Sequence, residues 1–99
     1  MVVSNMYYVR LVDESGNLID LDLAKYIEID FNFDKPFEIN PIPFTNEGAN
    51  EYEIKTDSSY CLIVVRIGKI ELFRYEGKPK NLDIVIPNEK LEALKVLVM

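Results

Sequence analysis

The sequence predicts an α+β domain: a strand-dominated antiparallel sheet of about six to eight short strands, with a C-terminal helix packed on one face. Three observations point there. Ile and Val supply twenty of the 99 residues while Ala supplies three, a composition that favours strands. Short runs of alternating apolar and polar residues recur along the chain, punctuated by turn residues. Only the stretch from Glu89 onward spaces its apolar side chains as a helix does. A chain of 99 residues and 11.5 kDa holds one hydrophobic core, so 1–99 reads as a single domain.

Tyr7 to Val12 is the first alternating run, and Asp13-Glu14-Ser15-Gly16-Asn17 is a turn. Leu18 to Leu23 alternates Ile19, Leu21 and Leu23 against Asp20 and Asp22, so the two runs read as a β-hairpin. Lys25 lies between two strand patterns and keeps a helical turn over Asp22 to Tyr26 as the alternative. Ile27, Ile29, Phe31 and Phe33 alternate with Glu28, Asp30, Asn32 and Asp34, a period of two that no helix gives. Phe37-Glu38-Ile39 is placed to pair back on that strand. The prolines of Asn40-Pro41-Ile42-Pro43 donate no ladder hydrogen bonds, which assigns them to an edge or an extended loop.

Thr45 to Asn50 reads as a loop and Glu51 to Thr56 as a short strand. Tyr60 to Val65 has no polar face, which predicts a central strand covered on both sides. Gly68 in Ile67-Gly68-Lys69-Ile70 stands at the first central position of a two-residue loop, as a type II′ hairpin requires. Ile70 to Tyr75 returns, Glu76 to Asn81 turns, and Leu82, Ile84 and Ile86 line one face of a last strand. Asn88 is positioned to cap a helix over Glu89 to Val98, with Leu91, Leu94, Leu97 and Val98 as its apolar stripe.

Composition excludes several chemistries. Without histidine there is no Ser-His-Asp or Cys-His catalysis and no histidine metal site, and one cysteine allows no internal disulfide. A net charge of −6 argues against nucleic-acid binding through bulk positive charge. The N-terminal residues lack the pattern of a secretory signal, and the longest apolar run falls far short of the roughly 20 residues of a membrane helix. These features predict a soluble, intracellular protein without cofactor or membrane partner. Charge is uneven: residues 1–60 carry −8 and residues 61–99 carry +2.

Four constellations bear on chemistry. Glu53-Ile54-Lys55 matches the Glu-x-Lys strand signature of restriction-type nucleases, with Asp34 or Asp30 as the upstream acid; two carboxylates would hold a divalent ion beside the attacking water. Such cores need helices flanking the sheet, which this pattern lacks. Arg66, Lys69, Arg74, Lys78 and Lys80, interleaved with Phe73 and Tyr75, form the best nucleic-acid patch, set against a strongly acidic remainder. Cys61 has no base to activate it and reads as a packing residue. Asp20 and Asp22 share one strand face, as do Glu28, Asp30 and Asp34. If those strands are neighbours, the two rows merge into an acidic surface suited to a basic protein.

Blocks such as Tyr26-Ile27-Glu28-Ile29-Asp30-Phe31 and Cys61-Leu62-Ile63-Val64-Val65-Arg66 give the whole chain a general character. In that character it resembles the small strand-rich proteins of archaeal linear double-stranded DNA viruses, the lipothrixviruses and rudiviruses. The absence of Gln and of any Asn-Gly pair suits the hot habitat of those viruses. The resemblance implies an infected archaeal cell as the setting. It also implies a kinship with small acidic inhibitors of host CRISPR interference, which bind the large subunit of a type I-D complex; it assigns no residues. The expectation is therefore a non-catalytic protein-binding module for a host protein with a basic surface. Divalent-metal cleavage by Glu53 and Lys55, or nucleic-acid binding by the basic patch, are the alternatives. The oligomeric state is open, a homodimer included.

Overall fold

Period-two patterning decides the architecture. The computed structural model describes residues 5–43 and 48–98. Among them, seven strands and two helices follow in the order β1 (Asn5–Val12), α1 (Leu21–Ala24), β2 (Glu28–Phe33), β3 (Phe37–Ile42), β4 (Glu51–Thr56), β5 (Cys61–Ile67), β6 (Ile70–Gly77), β7 (Leu82–Val85) and α2 (Asn88–Val98). The strands divide into two sheets, one ordered β3-β4-β1-β7 and the other β2-β5-β6. Every neighbouring pair is antiparallel except β1 with β7, which is parallel. The fold is thus α+β and strand-dominated, as expected, with its strands in two sheets.

Both sheets contribute one apolar face to a shared core. Val9, Leu11, Ile54 and Ile84 come from the four-stranded sheet, and Cys61, Ile63 and Val65 from the three-stranded one. Leu23 and Ala24 of α1 and Leu91 and Leu94 of α2 join the same cluster. Aromatic rings stitch β2 to the other sheet: Phe31 meets Tyr52 at 5.5 Å and Phe33 meets Phe37 at 4.6 Å between centroids. β5 is the central strand of its sheet. On its outward face Val64 is buried between its cross-strand neighbours Asp30 and Arg74, but Leu62 and Arg66 on the same face are only partly buried, so β5 is not covered on both sides as its apolar sequence predicts.

Three local expectations are corrected. The hairpin from Tyr7 to Leu23 is reduced to one bridge, Val12 with Leu18, after which the chain turns into α1. The buried residues there are Ile19, Leu23, Ala24 and Ile27, a spacing of three to four that belongs to a helical turn. Asp20 therefore stands at the N-cap of α1 and Asp22 within it, and they share no strand face. Phe37-Glu38-Ile39 does not pair back on β2; β3 pairs with β4 in the other sheet. The crossing is made at 34–36, where the Asp34 carboxylate binds Ser59 and Tyr60. Asn88 is not the cap of α2. The Pro87 carbonyl accepts from Leu91, and the cap is supplied from a distance: Glu14 Oε2 accepts the Asn88 N–H at 2.6 Å. A proline at the cap position has no side-chain oxygen, so a carboxylate from the β1–α1 loop takes its place and also meets the helix dipole.

The Gly68 turn and the edge position of β3 match the sequence reading. Gly68 has φ +58 and Lys69 is not in the positive-φ region, the pattern of a II′ turn. β3, with Pro41, is an edge strand. In α2, Leu91 and Leu94 are buried, but Leu97 is 66% exposed. Of the loop assigned to Thr45–Asn50, residues 45–47 lie outside the described residues and 48–50 form neither helix nor strand. Among the described residues no helix is long and apolar enough to cross a membrane.

Candidate docking face of the four-stranded sheet

Because Tyr7, Val9 and Leu11 point into the core, Met6, Tyr8 and Arg10 point out of it. The register then sets Met6 opposite Lys55, Tyr8 opposite Glu53 and Arg10 opposite Glu51. β3 continues the rows with Glu38 beside Lys55 and Asn40 beside Glu53, while β7 sets Asp83 beside Arg10. Arg10 is held from both sides: its Nε lies 3.6 Å from Glu51 Oε1 and its Nη1 3.5 Å from Asp83 Oδ1. The Lys55 Nζ lies 3.8 Å from Glu53 Oε1. The Tyr8 N–H donates to Asn81 Oδ1 at 2.9 Å, tying β1 to the segment that enters β7.

These residues surround a shallow bowl of about 450 Å³, lined by Tyr8, Arg10, Glu51, Asn81 and Asp83. Around it Met6, Tyr8 and Val85 are exposed by 47%, 38% and 48%, a large apolar contribution for a solvent-facing sheet surface. Glu38, Glu51, Glu53 and Asp83 outnumber Arg10 and Lys55, so the face is net acidic. Partly exposed pairs at these distances are loosely held and partly screened by water. An incoming cation can therefore compete for the carboxylates while an apolar group settles on Tyr8.

The residues expected to form one acidic surface are dispersed. Glu28 and Asp30 do share the outward face of β2, where both bind Arg66 of β5, at 3.6 and 2.7 Å. Asp34 staples the end of β2 to the start of β5: Oδ1 accepts the N–H groups of Ser59 and Tyr60, and Oδ2 accepts the Ser59 hydroxyl. Asp20 stands at the N-cap of α1 without a side-chain cap bond, and Asp22 is in its first turn. The two rows do not merge.

Nor does the structure bring together the groups of the nuclease reading. Glu53 and Lys55 face outward from one sheet, Asp30 faces outward from the other, and Asp34 is occupied in its turn. Among the described residues no three acids or thiols converge as metal ligands. In the basic window Arg66 is taken by Glu28 and Asp30, Arg74 by Glu71 at 2.7 Å, and Lys80 lies 5.0 Å over the Tyr75 ring. Sequence reasoning missed the bowl because Tyr8 and Asn81 are 73 positions apart. The outward triplets Met6-Tyr8-Arg10 and Glu51-Glu53-Lys55 were the legible signal. Comparison with protein-family models, with curated proteins and with solved structures finds no match for the chain.

Proposed function

We propose that the chain is a non-catalytic protein-binding module that docks a partner of basic surface on the outer face of its four-stranded sheet. The bowl carries this reading: a concave surface lined by Tyr8, Arg10, Glu51, Asn81 and Asp83, on a sheet face that also presents exposed Met6 and Val85 and the carboxylate of Glu53. Tyrosine and methionine supply contact area at modest entropic cost. The acidic rim raises the rate of encounter with a basic surface. In the viral setting that the family resemblance implies, that partner is part of a host complex.

The test uses proteins captured from a host lysate and then purified, with affinities measured at two salt concentrations. Tyr8→Ala and the set Glu51→Gln, Glu53→Gln, Asp83→Asn are expected to weaken binding roughly tenfold or more. The neutralised set should also flatten its salt dependence. Neutralising Asp20, Asp22, Glu28 and Asp30 should matter less. Equal affinity for the bowl variants would refute the docking face. Purified protein with Mg²⁺ or Mn²⁺ should leave DNA and RNA intact; cleavage abolished by Glu53→Gln would replace the binding reading by an enzymatic one.

A further inference from the structure

Two sheets present four edge strands, and three of these are blunted. β3 carries Pro41 and is bracketed by Pro36 and Pro43. β7 has four residues and lies between Pro79 and Pro87. β2 presents acids of one sign, Glu28 and Asp30. β6 differs: it runs for eight residues without a proline, carries both signs of charge, and has no strand on its outer side among the described residues. Its one protective device is the bulge at Leu72, opposite Val65 and Arg66, which leaves Phe73 to Gly77 in regular register.

We infer that β6 pairs antiparallel with β6 of a second copy, with Tyr75 on the two-fold axis. A two-fold perpendicular to the sheet keeps inward side chains inward, so only registers that match residues of equal parity are allowed within Phe73–Gly77. Setting Arg74 on itself, or Glu76 on itself, opposes like charges. Setting Tyr75 on itself places Arg74 opposite Glu76 of the other copy, and Glu76 opposite its Arg74. Both side chains are exposed on the outer face, so two cross-strand ion pairs form around the axis. The same register lays Phe73 opposite Gly77, beside which the Tyr75 ring of the same strand already lies. Within one chain Arg74 already contacts Glu71 at 2.7 Å and Glu76 accepts from the Tyr60 hydroxyl at 2.7 Å, so the cross-strand pairs add to or compete with these contacts. The pairing uses the edge of the three-stranded sheet and leaves the bowl on the other sheet free, so it stands or falls apart from the docking proposal.

Sedimentation velocity on the intact chain tests the register. The wild type should sediment at twice the 11.5 kDa of one chain. Arg74→Glu and Glu76→Arg should each fall to the monomer mass. Mixing the two variants should recover the doubled mass, because every cross-strand pair is then one acid facing one base. A wild type that stays monomeric at high concentration overturns the proposal. So does a dimer indifferent to both single changes, or a mixture that remains monomeric while each variant keeps its folded circular dichroism.

Discussion

Cys61 and Asp34 occupy the same end of the molecule and show how neighbours decide a side chain's chemistry. Cys61 is fully buried between its register partners Phe33 and Gly77. Burial pushes its thiol pKa up, and the nearby Asp34 charge pushes it further, so thiolate is scarce at neutral pH. Native protein should label slowly with a thiol reagent, and Cys61→Val should change unfolding free energy by about 1 kcal/mol or less; rapid labelling would place the thiol elsewhere. For Asp34, desolvation raises the pKa, but hydrogen bonds from Ser59, Tyr60 and Ser58 together hold it below its ordinary 3.8. A carboxylate with a depressed folded pKa stabilises in full above the unfolded value and loses that contribution as pH falls through the folded one. Asp34→Asn should therefore cost stability at neutral pH, and the gap from wild type should close below about pH 4. Thermal melts across that range check it. A gap that persists in acid would mean that the shape of the asparagine, and not the charge, is at fault.

Helix α2 depends on two contacts of different kinds. Leu94 is buried in the core cluster shared by both sheets, so Leu94→Ala should cost roughly 2–5 kcal/mol in denaturant unfolding. Glu14→Ala removes the carboxylate that meets the first turn and should cost about 1 kcal/mol, without loss of fold. The first contact was legible in the sequence as a helical stripe; the second was not, because nothing local connects Glu14 to Asn88. The same division holds elsewhere. β2, β4, β5, the Gly68 turn and the edge position of β3 follow from patterns within a few residues. The α1 turn is legible only as the alternative over Asp22 to Tyr26, because Ile19, Leu21 and Leu23 alternate as a strand would; burial of Ala24 and Ile27 decides for the helical spacing. The docking face stayed hidden for a further reason: its residues are known from alternation to point outward, but which strands share that face is set by long-range pairing.

At the scale of the molecule, sheet assignment rearranges charge. The acidic first part and the basic last part of the chain do not become two poles, since β2 lies against β5 and its acids are met by Arg66. Likewise β1 gathers β4 on one side and β7 on the other, which brings Glu51 and Asp83 to the same arginine. A chain stopped after Asn81 lacks β7 and α2 and should show no cooperative thermal transition; a sharp melt would mean that the remaining strands suffice as a core. The parallel pairing of β1 with β7 also has a consequence for biosynthesis. β1 leaves the ribosome well before its second neighbour, which is translated 73 positions later, counting from Tyr8 to Asn81. Through that interval the strand that supplies Val9 and Leu11 has one flank without its ladder, and closing so distant a pair is slow. Until β7 emerges, that open flank is exposed to wrong pairing.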